Sequence, residues 1–338
     1  MDFTKLAPRF ADHPTVLNWL MFKSALYNAD STILSYSYVL SDYLAHCAQE
    51  QIDYIHATSQ DVVGYFRALT DRPIIRNNRP LQRQLSDGSR KHRLAVLRLY
   101  YLYLKEESIR TTIPIRHGFS AKRKRGLSCA GELPVKQHIS WIPDGEQWGR
   151  ILDVMQTESL RNQLMLSLAF ECALRRAELC ALRISDVARG SGGNMVYIRA
   201  ETTKTKRARR VYYSEGTKHL LQQYLNLYHY GAQGSDKALF ISESKRNRGQ
   251  GISVWTWASV IKRVAQRTRL PQLKTHTMRH LGITVFASKG WESPYVSLYA
   301  GHQHPSSTGI YLHPLPDATQ HSIEQALVRL AQRNEVQQ

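Results

Sequence analysis

Six side chains in the second half of the chain fall in an order able to break a phosphodiester without a metal: Arg175, Lys204, His276, Arg279, His302 and Tyr311. Guanidinium forks match two non-bridging phosphate oxygens and stay charged at any working pH. A pentacoordinate phosphorus carries more negative charge than the ground state, so fixed cations beside it favour the transition state. A lysine in a turn is mobile and can give the proton that a leaving 5′-oxygen needs. Histidine suits proton transfer near neutral pH. A tyrosine phenol, with a pKa of about 10, becomes a nucleophile once cations or a nearby base favour its phenolate. Singly, each residue has a plainer reading: a surface salt bridge for an arginine, a structural role for a histidine, packing for any one of the 18 tyrosines. The set and its order are what point to chemistry.

The neighbours of these residues narrow the choice. Glu178 lies three positions after Arg175, close enough on a helix to brace it. Lys204 shares the cationic turn Thr202 to Ala208 with Lys206 and Arg207, and Arg209 and Arg210 follow. All five suit contacts to a phosphate backbone, and spacing alone does not select among them. His276 and His280 are four apart, as in metal-binding helices, with His304 and His313 further on. No carboxylate follows His276, however, since Thr277 and Met278 stand there, and Asp186, Glu201, Glu292 and Asp317 form no ligand-spaced group. Neither a metal nor another cofactor is expected.

The elements that must hold these residues differ between the two halves. Residues 1–110 read as helices. Thr32 to Ala48 carries apolar residues at helical spacing, Thr58 to Asp61 reads as an N-cap, and Ser89 to Glu107 joins the stripe Leu94, Leu97, Tyr101 and Leu104 to a cationic flank of Arg90, Lys91, Arg93 and Arg98. Residues 111–142 hold Pro114, Pro134, three glycines and the run Lys122, Arg123, Lys124 and Arg125, and read as a basic interdomain linker. From 143 to 338 helices mix with short strands. Asn194 to Ile198 and Arg210 to Tyr213 flank the cationic turn, Ala238 to Ile241 is a third short strand, Thr275 caps a helix through Ser288, and Ser322 to Gln325 opens a tail helix. The fold class is therefore mainly α with a small antiparallel β-sheet.

Lys+Arg total 46 against 27 Asp+Glu, a formal net charge of +19 in 338 residues, and 42% of residues are hydrophobic. The length suffices for two domains, and the charge favours a polyanionic partner. Residues 72–126 alone hold 15 Lys/Arg against 3 Asp/Glu. No apolar run approaches the roughly 20 residues of a spanning helix, and Met1 to Lys5 lacks the order of a secretory signal. Cys47, Cys129, Cys172 and Cys180 include no Cys-x-x-Cys pair, so a disulfide framework is unexpected and a reducing, cytoplasmic, nucleoid-associated setting is the expectation.

Taken in order, these motifs resemble the tyrosine recombinase (phage integrase) family. Ala173-Leu174-Arg175-Arg176-Ala177-Glu178-Leu179 resembles its first arginine box, Lys204 the lysine of its β2–β3 turn, His276-Thr277-Met278-Arg279 its His-x-x-Arg box, and Gly301-His302 with Tyr311 its second histidine and nucleophile. Ala173 stands where the family usually has glycine, and Arg176 where it has an apolar residue. The resemblance covers about residues 143–315. It implies a two-domain C-clamp, a helical core-binding domain joined to an α+β catalytic domain, acting on double-stranded DNA rather than on a membrane or a small molecule. It implies attack by Tyr311 to give a 3′-phosphotyrosyl link, with Arg175, Arg279 and His302 on the phosphate oxygens, Lys204 as general acid and His276 assisting the phenol. It further implies a homo-tetramer on DNA with exchange of the C-terminal tail, and integration, excision or resolution of a mobile element. Arg90, Lys91, Arg93, Lys122 to Arg125, Lys206, Arg207, Arg209 and Arg210 are the expected DNA contacts. The alternatives are a type IB topoisomerase-like relaxing enzyme, a catalytically silent DNA-binding protein and a metal phosphoesterase.

Overall fold

The computed structural model of the chain describes residues 2–26, 29–71, 74–76, 79–81, 85–115, 141–188, 194–230 and 235–302. The chain divides into two units, Met1–Gln137 and His138–Gln338. Lys122 to Arg125, Tyr311 and the tail helix expected from Ser322 lie outside the described residues.

The first unit is built from α1 (Pro14–Ala25), α2 (Asp30–Gln49), α3 (Ser59–Asp71) and α4 (Asp87–Glu106). Between α3 and α4 runs an antiparallel pair, β1 (Ile74–Arg76) and β2 (Arg79–Leu81), with Ile74 opposite Leu81. α3 starts where Thr58 and Asp61 cap one another. The Asp61 carboxylate accepts from the Thr58 N–H at 2.7 Å, and the Thr58 hydroxyl accepts from the Asp61 N–H at 3.3 Å. Trp19, Leu40, Tyr43, Tyr65, Leu97, Tyr100 and Tyr101 are fully buried in its core. Buried phenols need partners, and these have them: Tyr43 and Tyr101 share a bond of 2.7 Å, and Tyr101 donates to the Tyr54 carbonyl at 2.8 Å. Ile115 is buried against the same core, so the first residues of the 111–142 segment pack with this unit.

The second unit is ordered around α6 (Leu160–Glu171), whose residues Leu164 to Phe170 are all buried, as expected of a helix enclosed on every side. Against it pack α5 (Gly145–Gln156), α7 (Arg176–Cys180), α9 (Glu215–Tyr228) and α11 (Thr277–Ser288). α5 opens with a capping box between Asp144 and Gln147. α9 opens where the half-embedded Glu171 carboxylate accepts from the Ser214 N–H at 2.8 Å and the Thr217 hydroxyl at 3.0 Å. A short helix, α8 (Ile184–Ala188), leads to the antiparallel pair β3 (Met195–Ile198) and β4 (Arg209–Tyr212), with Met195 opposite Tyr212 and Ile198 opposite Arg209. α10 (Val254–Arg267) is capped by Ser253, and α12 (Ser293–Ala300) ends the described chain.

The β1–β2 pair interrupts a stretch read from the sequence as helices, and two further details differ from that reading. Ala238 to Ile241 forms no strand: Ala238 and Ile241 make single bridges, to Arg183 and Gly251, around the buried Leu239 and Phe240. Thr275 does not cap α11. His276 occupies that position without a side-chain bond, and the Thr277 hydroxyl instead accepts from the Lys274 N–H at 3.0 Å.

One contact sets the spacing of the core. A Cβ on Gly282 would lie 2.2 Å from the Phe170 carbonyl oxygen, so α11 crosses α6 backbone to backbone. That crossing brings Arg279, one turn earlier on α11, to the end of α6.

Candidate active site

Immediately after α6 the chain reverses at Ala173, whose φ of +46° is a left-handed value that glycine adopts far more readily. The reversal delivers Arg175 to the start of α7, where it is the N-cap residue. Its main-chain N–H donates to Glu178 Oε2 at 2.9 Å and its guanidinium to Oε1 at 2.8 Å. The bracing by Glu178 read from the sequence is thus a cap at the first turn rather than a mid-helix pair.

The two expected arginines meet at the end of α12. Arg175 donates to the Gly301 carbonyl at 2.5 Å, and Arg279 donates to the Ala300 carbonyl at 2.7 Å and to that of Ala173. Consecutive carbonyls at a helix C-terminus carry its negative partial charge, which suits two guanidinium groups. Gly301 closes α12 with φ +68°, and the His302 N–H returns to the Ser297 carbonyl at 2.9 Å. A Cβ at Gly301 would stand 3.0 Å from Arg209 Nη1 and 3.4 Å from Arg175 Nη1. Glycine here serves both the turn and the space for the cations.

Arg209 departs from its expected role. It is not a solvent-facing contact: its side chain is 8% exposed and donates to both Glu178 oxygens, at 2.7 and 3.2 Å, and to the Tyr299 carbonyl at 2.9 Å. The alternation along β4 carries the signal for this. Arg209 and Val211 face inward while Arg210 and Tyr212 face outward. Burial drives the Glu178 carboxyl up, but the hydrogen bonds and charge of Arg209, aided by Arg175, outweigh it and hold the group at about 2.

The histidines surround the same charges. His302 is drawn down to about 4 by burial and then by Arg279 and Arg175. His280 is drawn to about 4 by burial, His276 and Arg279. His276 is lowered by burial and then by Arg279, Arg176 and Arg175. All three are neutral imidazoles at pH 7, able to accept as well as donate. His276 and His280 have ring centroids 6.3 Å apart, and among the described residues no group of three or more His, Cys, Asp or Glu is arranged to hold a metal.

The remaining expected residues are more dispersed. Lys204, Lys206, Arg207 and Arg210 are exposed on or just after the turn between β3 and β4. On α4, Lys91 is half-buried and Arg90 lines a cleft of about 550 Å³ with Val62, Phe66 and Leu94. Arg93 is engaged within its own unit, at 2.7 Å from Asp42 and 2.8 Å from the Tyr65 hydroxyl. Arg176, unassigned from the sequence, lies over the Trp255 ring at 5.7 Å. Among the described residues no helix is long and apolar enough to cross a membrane.

This architecture is shared with solved recombinases. The XerH site-specific recombinase bound to its palindromic difH substrate matches 90% of this chain and 81% of its own at a TM-score of 0.64 and 16% identity. A lambda integrase dimer bound to a COC′ core site matches 89% of this chain and 94% of its own at 0.63 and 14% identity. These likenesses define the fold. The chain belongs to the phage integrase family, whose profile matches residues 144–317. It is 24% identical over 298 residues to the tyrosine recombinase XerC of Anoxybacillus flavithermus, covering 86% of this chain and 89% of the relative. It is also 26% identical over 175 residues to transposase A of transposon Tn554 from Staphylococcus aureus, covering 48% and 46%.

Proposed function

We propose that the chain is a site-specific DNA recombinase that cuts and rejoins strands through a phosphotyrosine link at Tyr311. The observation that carries this reading is the convergence of Arg175 and Arg279 on the consecutive carbonyls of Ala300 and Gly301, with His302 next in the chain. Two permanent cations and a neutral imidazole gather where a scissile phosphate would bind. In that role the guanidinium groups take the non-bridging oxygens and stabilise the charge that builds on phosphorus. The Tyr311 oxygen bonds to phosphorus as the bond to the 5′-oxygen breaks, and the Lys204 ammonium supplies the proton to that oxygen. Neutral His276 receives the phenol proton. Because the new ester conserves the bond energy of the old one, rejoining needs no added energy source. The first unit and the exposed turn residues Lys204, Lys206, Arg207 and Arg210 hold the flanking duplex. Four copies on two duplexes, with tail exchange between neighbours, complete the synapse, and movement of a mobile element is the proposed use.

The test is trapping on a nicked suicide duplex, built on a sequence that the protein itself selects from a random library. The intact protein should leave a covalent protein–DNA adduct in a denaturing gel, and Tyr311→Phe should leave none. An adduct surviving that substitution would overturn the assignment of the nucleophile.

A further inference from the structure

Trp255 is the most exposed of the five tryptophans in its unit, followed by Trp291 at 42%. Trp148 and Trp257 of the same unit are 1% and 0% exposed, whereas Trp255, two residues before Trp257 at the start of α10, is 72% exposed. A bare indole is costly to leave in water, and this one is held in place: the Arg176 guanidinium covers it at 5.7 Å. Arg176 adjoins Arg175 on α7, which packs against α10, and its charge reaches His276. The ring is therefore tied to the phosphate-directed cluster. Ala258 and Lys262 continue the same face of α10, at one and two turns from Trp255. They line a cleft of about 690 Å³ that carries Arg269 and Lys274 and ends at His276. A flat aromatic surface one helical turn from a cleft with a largely apolar wall and three cations, Lys262, Arg269 and Lys274, suits a nucleotide in shape and charge.

Resting on the recombinase reading, we propose that Trp255 is a stacking platform for a nucleobase unpaired beside the cut phosphate, with Arg176 fixing the ring beforehand. Bases in an intact duplex are stacked on one another and are costly to extract. Cleavage frees a 5′-hydroxyl end whose first base has lost its backbone tie, and that base is available. A ring already immobilised loses little freedom on stacking, so the contact is efficient. The platform holds the freed end near the site until it is rejoined or replaced. A tetramer contact is the competing use of an exposed tryptophan, but the cations around it favour nucleic acid.

The experiment uses the full chain and, beside the suicide duplex described above, an un-nicked duplex of the same sequence, whose freed end stays to be rejoined, with 2-aminopurine at the first base of that end. The intact protein should quench that fluorescence on cleavage. Trp255→Ala should abolish the quench and slow rejoining about tenfold, and Trp255→Phe, which keeps a ring, should restore both to within about threefold. A quench that persists in Trp255→Ala overturns the inference, as does a Phe variant no better than Ala. So does a Trp255→Ala defect confined to assembly of the synapse on a native gel. Absence of any adduct with the intact protein would instead sink the recombinase reading itself.

Discussion

Replacing Glu178 with glutamine removes the carboxylate that the guanidinium groups of Arg175 and Arg209 share, and leaves both cations partly buried. Breaking a buried pair in this way costs about 3–5 kcal/mol. Glu178→Gln should lower the urea midpoint accordingly, where an exposed glutamate would change it by a few tenths of a kcal/mol. The same groups set the acid limit of the fold. His302 titrates at about 4 in the folded chain against an ordinary 6.5, so its contribution is complete above 6.5 and is lost as pH falls toward 4. Glu178, held at about 2 against 4.5, contributes fully above 4.5 and loses that contribution toward 2. Unfolding free energy measured across pH should be level between 7 and 8, fall below about 6.5 as His302 and His280 take up protons, and keep falling from about 4.5 toward 2 as Glu178 does. At this scale the sequence names the cations and the histidines because chemistry fixes their types. It does not name the partners of Arg209, since a buried counter-ion thirty-one positions away leaves no local pattern.

Helices and turns position those side chains, and two residues test how. Gly282→Ala would drive a methyl group into the Phe170 carbonyl at 2.2 Å, and because the obstacle is backbone, one of the two helices must shift. The expected cost is about 1–3 kcal/mol or more, with Arg279 displaced from the end of α6. Adduct formation should then fall further than stability does, which parallel gel and denaturation assays would resolve. Ala173→Gly works in the opposite direction. It removes a left-handed penalty of about 1–2 kcal/mol while adding about 0.4–1 kcal/mol of unfolded-state entropy. A net gain of between about 0 and 1.6 kcal/mol is expected in the same urea assay. Long amphipathic helices such as α2, α4 and α10 are legible from periodicity and caps, and β3 and β4 from the apolar residues beside the cationic turn. β1 and β2 escape notice because three residues are too few to show alternation. α7 and α8, of five residues each, are set by tertiary contacts rather than by local propensity.

Over the whole molecule, the division into two units is visible in composition, where proline, glycine and lysine-arginine runs replace helical periodicity after Arg110. The division point is not, because Ile115 on one side and Trp141 on the other still pack into cores. Under the proposed function a net charge of +19 should govern affinity. If six to ten phosphates are contacted, binding to duplex DNA should weaken by about 10³–10⁵ between 50 and 200 mM salt, measurable by fluorescence anisotropy. A flat response would count against DNA as the partner. The shared carboxylate has a further consequence for anyone wishing to redirect the protein to new targets. Grafting the turn between β3 and β4 together with the start of β4 from a relative imports whatever residue stands at 209, and that strand position is anchored to position 178 in α7. A chimera that parts this couple should misfold before it can reveal any altered preference, so retargeting must carry the two positions as one unit.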